Sequence, residues 1–182
     1  PSLAQALQID AVGIGWLLSA FGWAYVLAHL PAGWLVDRLG PKRAILFGLI
    51  LWSAASFVAG QAGWFAHAFT LMLVLRVLVG VVQAPIGPAS ASIIAAWFPG
   101  HERGMAGSVF SSATYIALIV FNPLVGWLDQ RYGWAVAFSA IGEIGVCMAL
   151  GWAWQFHLPA THPHLTRREF DLIAQGGGLV HY

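Results

Sequence analysis

AFTLMLVLRVLVGVVQAPIGPASASIIAAW, residues 68–97, is the stretch whose reading decides the fold. It carries one charge, Arg76, and exceeds the roughly 20 apolar residues needed to cross the hydrocarbon of a bilayer. A helix with no charged face for water belongs in lipid. Runs of the same kind fall at residues 11–36, 43–63, 105–128 and 134–156, each of spanning length or slightly more. The totals agree. With 59% hydrophobic and 8% charged residues, a 182-residue chain lacks the charges to coat a soluble globule. Its mean hydropathy of +0.76 points the same way. No run alternates polarity over short segments, and Gly and Pro are scattered inside the runs as membrane helices tolerate, which disfavours a β-barrel. The expected architecture is an all-α, polytopic transmembrane helix bundle of five spans.

Several function classes drop out on composition. A formal net charge of +1, with basic residues lying apart, offers no field for nucleic acid. The one cysteine, Cys147, has no intrachain partner and reads as a small core hydrophobe in an apolar run. No nucleophile, base and orienting group cluster, so neither an enzyme nor a cofactor is expected. His157, His162 and His164 lie in a proline-containing tail that reads as solvated and juxtamembrane, with weak metal binding as the alternative.

Orientation follows from Lys and Arg in the short loops. Arg38, Lys42 and Arg43 follow the first run, Arg103 the third, and Arg167 and Arg168 the fifth, all on one side; the other side has Arg131. The first set is therefore expected in the cytoplasm. Ser2 to Asp10 reads as an extracytoplasmic loop preceded by a helix the chain does not include, and the opening at Pro1 has no signal-peptide pattern. At the other end, Thr166-x-x-Glu169 predicts a capping box opening a short amphipathic helix with Phe170 and Ile173 on one face. Gly176-Gly177-Gly178 then reads as a flexible linker.

Between the first two runs lies Gly33-x-x-x-Asp37-Arg38-x-Gly40-x-Lys42-Arg43. Gly33 would let two helices approach closely, Gly40 permits a tight reversal, and the Asp beside basic residues can form ion pairs at the membrane surface. This loop resembles the signature between the second and third helices of the major facilitator superfamily. Phe21-x-Trp23-x-Tyr25, Arg76-x-x-x-Gly80, Trp97-Phe98-Pro99 followed by Glu102-Arg103, Gly133-Trp134, and the tail from Pro159 through Gly176-Gly177-Gly178-Leu179-Val180 resemble its anion-transporting branch. Within that branch the chain looks most like the D-glucarate and D-galactonate permeases over nearly its whole length. The resemblance implies a twelve-helix fold, of which residues 1–156 hold helices two to six and 157–182 form a cytoplasmic linker toward a C-terminal half. It also implies alternating-access transport of sugar acids with proton coupling in a bacterial inner membrane. Other carboxylates, an exported cation, a non-transporting sensor and a truncated pseudogene product are the alternatives, and Arg76 argues against the cation.

The polar residues inside the runs are the candidate site. An ionised Arg at a helix centre costs roughly 2.5–3.5 kcal/mol, so Arg76 should face a polar cavity or a partner, unless it snorkels to the outer interface. Spacings of seven place Arg76, Gln83 and Ser90 on one face of the third run. The family associates an Arg here with anionic substrate, which a guanidinium fork suits. Phe21, Tyr25 and His29 form a stripe at spacings of four. Tyr25 matches a family position lining the substrate cavity and His29 a position commonly Gln; hydrogen bonding between helices is the other reading of both. Ser108, Ser111, Tyr115 and Asn122 read as a helix-packing stripe, while Thr114 falls where these permeases place a substrate-binding Gln. Gln83 stands where the family usually has a Glu that titrates during coupling. Glu143 is an acid inside the fifth run, where the family is apolar. Glu143 and His29 are therefore coupling candidates, with a helix-paired carboxyl of no transport role as the other reading of Glu143. The loop residues Gly33, Asp37, Arg38, Gly40, Arg43, Glu102 and Arg103 correspond to a conformational switch by the same resemblance.

Overall fold

The structure is a computed structural model that describes residues 9–180, so the loop expected over Ser2 to Asp10 lies outside the described residues except for its last two positions. The helices are α1 (Ala11–Leu39), α2 (Pro41–Gly60), α3 (Ala68–Gln83), α4 (Ile86–Trp97), α5 (Arg103–Tyr132), α6 (Trp134–Gln155) and α7 (Arg167–Gln175). Short 3₁₀ turns occupy Ala62–Trp64 and Pro159–Thr161. Five helical segments are long and apolar enough to cross a membrane, and the third of them is Ala68–Trp97, comprising α3 and α4. Each coincides with one of the apolar runs to within a few residues.

The local chemistry explains the boundaries. Asp10 caps α1 by accepting from the Gly13 N–H at 2.8 Å. Gly40, at φ +77°, ends α1 and begins α2, and Pro41 follows at the first helical position, where its missing N–H costs nothing. The third span bends between α3 and α4 because Pro85 and Pro88 each remove a backbone donor from its ladder. The bend separates Arg76, on α3, from Ser90, which is buried on α4.

α1 and the third span run in the same direction and pack directly on each other, with α2 antiparallel to both. Gly80 lets α3 meet α1 at backbone distance: a Cβ there would lie 2.6 Å from the Phe21 carbonyl oxygen. The most extensive packing joins α2 to α6, through small residues as membrane helices require. Ser53 is fully buried and Gly142 and Gly145 pack against it, while Gln61 Nε2 donates to Ser139 Oγ at 3.1 Å and the Trp152 indole N–H donates to the Lys42 carbonyl oxygen at 3.1 Å. Gly33, expected to mediate a close approach, faces open space. The close approaches fall instead at Gly80 and Gly142, where the chain crossing opposite is backbone.

The surface is largely apolar, with Trp64, Trp127 and Tyr132 exposed toward one end of the bundle and Trp34 and Trp154 toward the other. Such aromatic residues suit the two headgroup levels of a membrane. Arg38, Lys42, Arg43, Arg103, Arg167 and Arg168 share the second end. In a Cys147→Ser background of the full-length protein, His101→Cys should stay shielded from an impermeant maleimide in intact cells and Gln130→Cys should label. The opposite pattern would invert the orientation.

Candidate functional site

Arg76 sits two turns into α3, where the helix crosses α2 and α6. It lines an open-sided cavity of about 360 Å³ together with Trp52, Ser56 and Ala59 of α2, Met72 and Val79 of α3, Asn122 and Val125 of α5, and Phe138 and Ile141 of α6. The guanidinium carbon lies 5.9 Å from the centre of the Phe138 ring, within cation–π range. Arg76 thus faces this space together with side chains of three other helices. Arg76 is the cavity's one charge, with Asn122 and Ser56 as neutral hydrogen-bonding side chains beside it. A carboxylate can take two parallel N–H bonds from the guanidinium, and the amide and hydroxyl can each give or accept one more.

The other expected residues separate into groups. Tyr25 belongs to a ring ladder on α1, with centroids 5.8 Å from Phe21 and 4.6 Å from His29. The stripe read from spacings of four is thus formed. His29 is exposed and lies near Gly87 at the start of α4, one span away from the walls of the Arg76 cavity. Gln83 follows Arg76 by two turns of α3 but does not line the cavity, and neither does Ser90. The expected polar face therefore delivers one of its three members to this space. The proline bend and the burial of Ser90 account for the loss of the third.

On α5, Thr114 is exposed and its hydroxyl donates back to the Phe110 carbonyl oxygen at 3.3 Å. Ser108 does the same to Gly104 at 2.9 Å. No residue of α5 is buried, so the stripe of Ser108, Ser111 and Tyr115 is uncovered by the described helices and does not act as a packing seam among them. Asn122, which sequence spacing assigned to helix packing, lines the cavity instead. Periodicity places it on a face of α5 but cannot say that α3 and α6 converge there. Glu143 lies on an exposed face of α6 with Ala140, Ile144, Cys147 and Met148, roughly a quarter turn from the glycine that meets α2.

At the opposite end of the bundle, Arg38 lies over Trp34 with its guanidinium carbon 4.1 Å from the ring centre. Arg43 is exposed, and Glu102 lies 3.6 Å from the His101 imidazole. Arg103 reaches carbonyl oxygens of Phe98, Ala95 and Gly177. The capping box at the start of α7 is formed: Glu169 accepts from the Thr166 backbone N–H at 3.0 Å and hydroxyl at 2.8 Å. Those bonds, the backbone one first, hold its carboxyl below the usual range. Among the described residues no group of three or more His, Cys, Asp or Glu is placed to hold a metal ion.

Comparison with known proteins supplies a frame for this geometry. The model of the Major Facilitator Superfamily matches residues 1–175. The chain is 41% identical over 181 residues to the "Probable galactarate/D-glucarate transporter GudP" of Bacillus subtilis (strain 168) and 41% identical over 180 residues to the "Probable galactarate/D-glucarate transporter GarP" of Escherichia coli (strain K12). It is 32% identical over 178 residues to the "D-galactonate transporter" of Escherichia coli O6:H1. Each alignment covers 98% of this chain and 40% of the relative, so the chain spans well under half the length of these proteins.

Proposed function

Since the chain belongs to the Major Facilitator Superfamily, we propose that it forms part of an alternating-access transporter whose cargo is a sugar acid, a hexarate or a hexonate. It is a multi-pass integral membrane protein, and its relatives are transporters and not enzymes. The observation that carries the proposal is the cavity with Arg76 as its one charge and Asn122 and Ser56 beside it. A hexarate presents two carboxylates on a chain of hydroxyls. Arg76 takes one carboxylate, and the amide and hydroxyl meet the hydroxyls next to it. The space is at the lower end of the range of small-molecule sites, and the remaining walls come from the rest of the full-length protein. Protons are the proposed driving partner and a bacterial inner membrane the proposed setting.

The test is uptake of labelled galactarate into proteoliposomes holding the full-length protein, with and without an inward proton gradient. Saturable uptake that unlabelled galactarate and D-glucarate abolish is the expected result. A second reading, an aromatic carboxylate, is favoured by the rings of Trp52 and Phe138 on the cavity walls. Benzoate competing where galactarate does not would establish it. Binding without uptake would mean a sensor.

Proton coupling needs a group that titrates, and Gln83 does not. Gln83→Glu should steepen the dependence of uptake on the inward proton gradient. Glu143→Gln should leave that dependence unchanged, because Glu143 lies outside the cavity on an exposed face of α6. His29→Gln tests the imidazole, a side chain chemically able to take up and release a proton. Gradient dependence that survives all three changes unaltered would place coupling in the rest of the protein.

A further inference from the structure

A flexible joint can use glycine anywhere, but residues 176–178 need it position by position. At Gly176 a Cβ would stand 2.7 Å from the Pro99 side chain, and at Gly178 it would collide with the Ile173 side chain and lie 2.8 Å from its carbonyl oxygen. Gly177 has φ +85°, which other residues rarely adopt. The expectation of a flexible linker is therefore corrected: this segment is fitted to a surface. The Gly100 N–H donates to the Gly176 carbonyl oxygen at 2.9 Å, and the Leu179 N–H donates to that of Ala95 at 2.8 Å. The Arg103 guanidinium donates to Gly177 at 2.5 Å, Ala95 at 3.1 Å and Phe98 at 3.3 Å. One side chain thus gathers carbonyls left over at the C-terminus of α4 together with the strap that follows α7. Val180 is 4% exposed beside them.

We propose that residues 176–180 are a latch on the inner ends of α4 and α5, that Arg103 is its pin, and that the latch opens and recloses in each transport cycle. Its ties are mostly hydrogen bonds at the end of the bundle that carries the basic residues, where water can satisfy both sides once they part, and Val180 is its one buried apolar side chain. Motion can reach it from the cavity. Arg76 lies above the Pro85–Pro88 bend and Ala95 and Phe98 below it, so a change of bend angle shifts the latch's seat relative to α7. Arg103 acts here as a positioning residue. The cycle arm of the proposal rests on the transport reading given above, whereas the latch itself does not.

Backbone hydrogen exchange and uptake test the two arms separately, on the full-length protein in lipid nanodiscs and in proteoliposomes. Arg103→Ala should speed exchange at Gly100 and Leu179 at least about tenfold while amides in the middle of α2 and α6 stay as they were. Arg103→Lys should restore part of the protection, since an ammonium keeps the charge but loses the fork. Gly178→Ala should open the latch without touching the guanidinium. In uptake, either variant should lower the maximal rate several-fold at unchanged half-saturating concentration, and the double variant should be no worse than the single ones. Unchanged exchange in both Arg103→Ala and Gly178→Ala overturns the latch. Faster exchange with unaltered uptake, or additive losses in the double variant, overturns its part in the cycle. Absence of galactarate uptake by the parent protein counts against the transport reading, and with it the cycle arm, but leaves the exchange result standing.

Discussion

Arg76→Leu in the full-length protein should abolish galactarate uptake, with a loss of at least about a hundredfold, while Arg76→Lys should retain a weak rate. The size follows from the contacts. Two charge-assisted hydrogen bonds to a carboxylate contribute roughly 1.5–3 kcal/mol each, and about 1.4 kcal/mol is a factor of ten. Leucine removes the bonds and the charge together, leaving a carboxylate to enter an apolar space without a counter-charge. Lysine keeps the charge and loses the planar fork, so about one of the two bonds survives. The structural alternative is that Arg76 serves mainly to pack over Phe138, 5.9 Å from its guanidinium carbon. The two variants separate these roles. If packing were the whole role, Arg76→Leu would transport normally at normal expression, since an apolar side chain also covers the ring. Uptake measured beside the amount of monodisperse purified protein decides the matter, and normal uptake by the leucine variant would remove Arg76 from the site.

The span pattern was legible in the sequence because the bilayer imposes a single length and a single polarity on every crossing segment. The five runs, the reversal at Gly40 and the capping box of Thr166 and Glu169 are all set by neighbours close along the chain. The site was less legible for the opposite reason. Arg76 was identifiable as a lone charge in lipid, yet the cavity it shares with Phe138 and Asn122 joins three spans and leaves no local trace. Gln83 and Ser90 share the heptad spacing of Arg76 but not its cavity: Gln83 stands two turns further along α3, about 10 Å by helix rise, and Ser90 lies beyond the prolines, buried on α4. The tail shows the limit of composition. Three consecutive glycines read as freedom until their neighbours Pro99, Ile173 and Arg103 are known, and two of these, Pro99 and Arg103, lie more than seventy residues away.

The α2–α6 seam allows the largest effect on folding to be located at a single atom. Gly142 faces α2 so closely that a Cβ would stand 2.8 Å from both the Phe57 nitrogen and the Ser53 carbonyl oxygen. Both are backbone, so neither can rotate away, and the helices must separate to admit any side chain. In lipid no hydrophobic force restores them, since acyl chains are as apolar as leucine; the seam is held by close packing among Ser53, Gly142, Gly145 and their neighbours. Overpacking typically costs about 1–3 kcal/mol, and a separation that also loosens Ser53 and the Gln61–Ser139 bond adds to it. Gly142→Leu should therefore abolish the monodisperse peak of the full-length protein in size-exclusion chromatography, with Gly142→Ala lowering its thermal midpoint less severely. Gly151→Leu is the matched control. It makes the same change on the same helix at a position with open space around it, and should leave both peak and midpoint where they were. Equal behaviour of Gly142→Leu and Gly151→Leu would mean that α6 does not approach α2 through Gly142. Because the cavity around Arg76 takes Trp52 and Ser56 from α2 and Phe138 and Ile141 from α6, separation of this seam would also pull its walls apart.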